Sequence, residues 1–315
     1  MVYLKRGLTL VVFTVGLIFL LSMASWIFVP KNNQQEYGME EITANGILGE
    51  QENTIDVLVL GDSESYSAIT PMQMWKDAGY TAYVCGTSGQ MLEYSNTLLH
   101  RVFERQKPKI VILETDAIYR DMTPGTVRLN RLIGYFSVFQ YHNRWKALRL
   151  SDFGGEVNYT WTDDYKGYAH SVQVDSANNT EYMKQTESAA EIPNINVQYV
   201  KEMKAFCDRN QAEFILLSTP STVNWNSERH NGICRLAEEI GCEYVDLNVM
   251  NDKVQIDWSR DTRDKGDHLN YFGAVKVTKF LTDYLMKKNT LTDHRTDETY
   301  AKWNDALKRY EAAVK

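Results

Sequence analysis

The run Val57-Leu58-Val59-Leu60-Gly61-Asp62-Ser63 carries four strand-forming residues into a glycine, an acid and a serine. A serine hydroxyl is a weak nucleophile unless a base takes its proton, and a third group must hold that base. Of the six histidines, His268 stands out. It closes the stretch Asp264-Lys265-Gly266-Asp267-His268, just before an apolar-periodic helix near Gly273. Asp264, four residues back, approaches Nδ1 if the chain turns tightly at Gly266, since glycine tolerates positive φ. Asp267 is the direct neighbour. Adjacent side chains of an extended segment point apart, so it reaches the ring only through a bend, and its alternative task is to cap the following helix. Asp264 is the favoured partner. Taken alone, Ser63 reads most simply as a helix N-cap; joined to His268 it reads as a nucleophile.

These residues need a frame that brings positions 63 and 268 together. Apolar runs at 55–60, 81–85, 110–113, 214–217 and 244–247 alternate with helical patterns. Thr70, Pro71 and Gln73 form a helix-start signature with a capping box, and Gly79 ends that helix. Further helices are expected over 91–106, 197–210 and 228–240, and a last one after Gly273 buries the face of Val277, Phe280, Leu281, Tyr284 and Leu285. Strands apolar on both faces imply a parallel sheet covered on both sides. The fold class is therefore α/β, a three-layer sandwich on a five-stranded parallel sheet of flavodoxin-like type, whose ligand edge lies at the carboxyl ends of the strands. Ser63 and His268 both fall on that edge. So does His230, which with Trp225 and Asn226 either lines a substrate groove or lies on the surface. Residues 118–193 interrupt the alternation as an aromatic-rich insertion, either over the active edge or against the side of the sheet. Residues 291–315 read as a charged C-terminal helix with Tyr300, Trp303, Leu307 and Tyr310 on one stripe.

The 315 residues carry a formal charge of −7 with no basic stripe, which argues against a nucleic-acid partner. From Gly7 to Val29 no charge occurs, and Lys5 and Arg6 precede the run. Its length suits a bilayer-spanning helix and exceeds the apolar part of a signal peptide. The expected organisation is a cytoplasmic end (1–6), a transmembrane anchor (7–29), a polar stalk (30–52), the α/β domain (53–290) and the final helix (291–315). By the positive-inside rule the soluble part faces the extracytoplasmic side of the cell membrane. Cys85, Cys207, Cys234 and Cys242 read as small, mostly buried residues, with one or two disulfides as the alternative. No GxSxG, GxGxxG or P-loop sequence occurs, and Asp257, Asp261, Asp264 and Asp267 lack EF-hand spacing.

Gly61-Asp62-Ser63 after the first strand, with Gly266-Asp267-His268-Leu269-Asn270-Tyr271-Phe272-Gly273-Ala274 before the last helix, resembles the SGNH/GDSL hydrolases. The layout is most similar to membrane-tethered members acting on acyl groups of cell-envelope polymers. The resemblance covers about 55–285, less the insertion. It implies Ser63 as nucleophile and His268 as base. It also implies an oxyanion hole from the Ser63 N–H and a group among Gly86, Ser88 and Gly89. Two departures stand out. Glu114-Thr115-Asp116 occupies the place of the family's GxND block, and Lys265 stands where the orienting acid is usual, so another acid must serve. The resulting expectation is a membrane-anchored serine esterase or O-acyltransferase needing no cofactor. Its expected partners are an acylated envelope glycan or polymer, the lipid bilayer and a membrane-bound acyltransferase. The alternative is a catalytically silent module that binds cell-wall glycan or assists such an acyltransferase.

Overall fold

A computed structural model describes residues 2–122 and 124–314. In chain order its principal elements are α1 (Val2–Phe28), β1 (Val57–Gly61), α2 (Ser63–Ala68), α3 (Pro71–Ala78), β2 (Ala82–Gly86), α4 (Leu92–Phe103), β3 (Ile110–Glu114), α5 (Pro124–Tyr135), α6 (Asn194–Arg209), β4 (Glu213–Ser218), α7 (Ser227–Ile240), β5 (Glu243–Asp246), α8 (Tyr271–Lys288) and α9 (Ala301–Ala313). They fall into two units, one of Met1–Ile42 with Thr123–Thr160, the other of Thr43–Met122 with Trp161–Lys315.

The second unit holds the sheet. Its five strands are all parallel, in the order β2-β1-β3-β4-β5. Because both faces are covered, the strands are apolar nearly throughout. Val57, Val59, Ile110, Ile112, Ile215 and Leu217 turn to one face, where they pack with Val277, Leu281 and Leu285 of α8. Chain order reverses between β1 and β3, the point at which a doubly wound sheet opens a crevice at its carboxyl edge. Gly61 ends β1 there, and no other residue fits: a Cβ would stand 2.6 Å from that of Glu114 and 2.9 Å from that of Ser65.

Several expectations change on contact with tertiary packing. The stretch 30–52 is not a polar stalk, because Ala44, Ile47 and Leu48 are buried and Tyr83 donates its hydroxyl proton to the Thr43 carbonyl. The capping box of α3 does not form: the Thr70 hydroxyl pairs with Tyr310 at 2.9 Å and Gln73 bonds Asp77. The segment 118–193 is divided between the units. Its later part runs along the site, with Ala169 N–H donating to the Tyr66 carbonyl and Asp175 N–H to that of Thr262. In α9, Trp303 and Tyr310 are buried, Trp303 lying 5.5 Å from the Trp75 ring. All four cysteines are free thiols, with Cys85 and Cys207 buried and Cys234 exposed.

In the first unit, α1 contains a 24-residue apolar stretch, Lys5–Phe28, of mean hydropathy 2.4 and with none of it buried. At 1.5 Å per residue that is about 36 Å, long enough to cross a bilayer.

Candidate active site

Ser63 opens α2 at the carboxyl end of β1, and Asp62 rather than Ser63 is the N-cap, accepting the Glu64 N–H at 3.0 Å. This leaves the half-buried Ser63 hydroxyl free of capping duty. The phenol of Tyr66 lies within electrostatic reach of the Ser63 and Ser88 hydroxyls. Burial raises the Tyr66 phenol above its ordinary range, so it stays protonated.

His268 is carried by a tight turn whose backbone is spelled out by the sequence. Lys265 and Gly266 adopt φ of +64° and +95°. A Cβ on Gly266 would lie 2.0 Å from the Thr222 hydroxyl oxygen, so glycine is required by conformation and by space alike. Thr222 N–H donates to the Gly266 carbonyl at 2.8 Å, and the Ser221 hydroxyl to that of Asp267, clamping the turn onto the loop after β4. Within the turn, Asp264 accepts twice from His268: from the backbone N–H at 2.6 Å and at the ring Nδ1 at 2.7 Å. Asp267 is 3.6 Å from Nδ1 and accepts instead from the Asn224 amide at 2.6 Å. It does not cap α8; Asn270 does, accepting from Phe272 and Gly273. The other ring nitrogen of His268, Nε2, is buried with no hydrogen-bond partner.

Glu64 ties this turn to α2. Its carboxyl accepts from Asn224 at 2.8 Å, and Glu64, Asp267 and His268 bring polar atoms within 4.8 Å of one another. Ser63, the residue before Glu64, therefore shares one edge with His268. These three side chains are also the donor set that could hold a divalent ion, though Asp264 already engages His268, and Asn224 engages both Glu64 and Asp267.

Around Ser63 the electrostatics are set by buried acids. Burial, reinforced by Glu114, raises Glu64 well above the carboxylate range. Burial, then Asp62, does the same to Glu114. Asp62 is pushed up to about 6 by burial and by Asp116, against the pull of Arg120. The Arg120 guanidinium bridges Asp62 and Asp116, and its Nη1 lies 3.5 Å from where a Gly89 Cβ would stand. Gly86 pairs with Gly61 across the sheet and is buried, whereas Ser88 and Gly89 are exposed.

The remaining sequence candidates have other partners. Trp225 donates its indole N–H to Asp246 at 2.9 Å, and the His230 Nδ1 lies 2.7 Å from the same carboxylate at the end of β5. Asn226 caps α7, accepting the Arg229 N–H. Trp225 and His230 thus meet on Asp246, with Asn226 beside them at the start of α7. Conversely, sequence reasoning passed over Glu64, Tyr66, Asn224 and Arg120. Tyr66 was legible only as an i,i+3 neighbour of Ser63, Glu64 only as the residue after it, and Arg120 only as an i,i+4 partner of Asp116.

No family model and no curated protein sequence matches the chain. Among solved structures it is similar to a candidate acylhydrolase of Bacteroides fragilis, with 12% identity and a TM-score of 0.41, over 80% of this chain and 97% of that one. It is similar also to the lipase/acylhydrolase of Enterococcus faecalis, with 12% identity and a TM-score of 0.39, over 74% and 97% of the two chains. A third is a two-domain esterase active on acetylated mannans, with 14% identity and a TM-score of 0.39, over 80% of this chain and 53% of that one.

Proposed function

We propose that the protein is a membrane-anchored, extracytoplasmic serine esterase or O-acyltransferase that works on acyl esters of cell-envelope glycans or polymers. The observation that carries this reading is the state of His268: Nδ1 fixed by Asp264, Nε2 buried and unpartnered, on the edge where Ser63 opens α2. An acid on Nδ1 keeps that nitrogen protonated and leaves the lone pair on Nε2, as a general base requires.

The Ser63 Oγ attacks the acyl carbonyl carbon while its proton passes to Nε2. The carbonyl electrons move onto oxygen, and the Ser63 N–H with the Gly86–Gly89 loop receives the oxyanion. Arg120, held near Gly89 by its two carboxylate partners, supplies a positive edge to that loop. Collapse expels the alcohol, which takes the proton back from His268, and the acyl group stays on Ser63. Water, or a sugar or polyol hydroxyl, then attacks the acyl-enzyme by the same route in reverse.

One observation favours a second reading. The His268 Nε2 has no hydrogen-bond partner, so the Ser63 hydroxyl is not bonded to it, as a silent glycan-binding module would allow. Turnover of a small acetyl ester by the full chain, abolished in Ser63→Ala without loss of folding, supports the enzyme; equal rates in both variants contradict it. Location is tested by protease added to intact cells or spheroplasts, which digests an extracytoplasmic domain and spares one on the inside.

A further inference from the structure

We propose that residues 124–160 form a second membrane contact, a surface element that lies in the anionic headgroup layer of the bilayer crossed by α1. The inference rests on the reading of α1 as a bilayer helix.

Exposed large apolar side chains are not spread evenly over this protein. Outside α1 and this segment, those among the described residues are four valines and one methionine. Within it, Leu129, Leu132, Tyr135, Trp145, Leu150 and Phe153 are exposed, Leu150 to 93% and Tyr135 to 81%. A patch of this kind in water marks an interaction surface. Its position says with what. The segment is fastened to the last turn of α1 and the residues just after it. Val138 N–H donates to the Ser25 hydroxyl, Arg144 to the Phe28 carbonyl, and the Tyr159 hydroxyl to the Pro30 carbonyl. Asn158 N–H donates to the Lys31 carbonyl at 2.7 Å, and the Lys31 ammonium lies over the Trp26 ring. The apolar stretch of α1 ends at Phe28, so the patch continues the apolar surface of α1 at the depth where a bilayer gives way to water.

Composition fits the same partner. The segment has five arginines and lysines against Asp152 and Glu156, a charge of +3 in a chain whose total is −7. Aromatic side chains with basic neighbours, such as Trp145 beneath the Lys146 ammonium at 5.3 Å, are those that settle at a lipid interface and favour anionic headgroups.

The test uses the full chain in nanodiscs of phosphatidylcholine with phosphatidylglycerol, with and without brominated acyl chains that quench nearby tryptophan. Trp26→Phe reports the anchor and Trp145→Phe the proposed contact. Each substitution is expected to remove a quenched component of similar size, and Leu150→Trp in the Trp145→Phe background to restore one. Replacing Lys146 and Arg149 by glutamate is expected to reduce the Trp145 component in the anionic discs. Quenching lost with Trp26→Phe but unchanged with Trp145→Phe overturns the inference and leaves the anchor standing. No quenched component at either position defeats both. Quenching of Trp145 that arises only after membrane proteins are added assigns the face to a protein partner and also overturns the inference.

Discussion

Replacing Asp264 by asparagine changes one oxygen to an amide and removes the charge that sets the His268 tautomer. Wild-type Asp264 receives the backbone N–H of His268 at 2.6 Å and meets Nδ1 at 2.7 Å. In Asp264→Asn, the remaining carbonyl oxygen can keep the backbone bond, which turns the NH2 toward Nδ1. That nitrogen must then accept, the ring proton moves to Nε2, and the lone pair needed to deprotonate Ser63 is gone. Loss of this function in serine proteases costs about 10⁴ in turnover, or about 5.4 kcal/mol of barrier. The same loss is expected here, read as kcat on a small acetyl ester. Asp267 lies 3.6 Å from Nδ1 and bonds Asn224, so Asp267→Asn should cost about tenfold or less. Circular dichroism and the unfolding midpoint should stay near wild type, because the amide preserves the backbone bond. An Asp264→Asn enzyme within tenfold of wild type, beside an inactive Asp267→Asn enzyme, would refute the assignment; two active variants would mean that His268 works without a carboxylate.

Gly266→Ala should lose about 1–3 kcal/mol of stability through its left-handed backbone and the clash with Thr222, and turnover should fall with it; an unchanged melting temperature would show that the turn yields. Glu64 retains a proton in the fold that it releases on unfolding, so above about pH 4.3, its usual pKa, stability falls as pH rises toward the raised folded value. Asp62, raised from 3.8 to about 6, adds up to about 3 kcal/mol of the same loss. Thermal melts should therefore show wild type less stable at pH 8 than at pH 5, and Glu64→Gln should flatten that slope; a steeper slope would contradict burial as the cause. Arg120→Gln should lower kcat by about 10²–10³ with little change in KM, as loss of an oxyanion donor does, and added guanidinium should restore part of the rate; a change in KM alone would make Arg120 a binding residue.

The sheet was legible because parallel strands buried on both faces leave unbroken apolar runs such as Val57–Leu60 and Ile110–Leu113. The close approach of Asp264 to His268 was legible for a local reason: Gly266 permits the turn, and four residues suffice to describe it. What was hidden depended on distant partners. Thr70 looks like a side-chain cap until Tyr310, 240 residues later, takes its hydroxyl. Asp246 draws in Trp225, His230 and Tyr244 from two elements, a choice no spacing encodes. Ile47 and Leu48 are too few to announce a packed segment, yet they are buried beside the sheet. Within 118–193, aromatic richness gave no sign that only part of the segment belongs to the α/β unit.

The central claim, that Ser63 is an activated nucleophile, is tested most directly by treating the full chain with a fluorophosphonate and mapping the adduct by mass spectrometry. The account predicts one adduct, on Ser63, formed far more slowly in His268→Gln and absent from Ser63→Ala. A wild-type protein that forms no adduct, or an adduct on another serine that persists in Ser63→Ala, would contradict it.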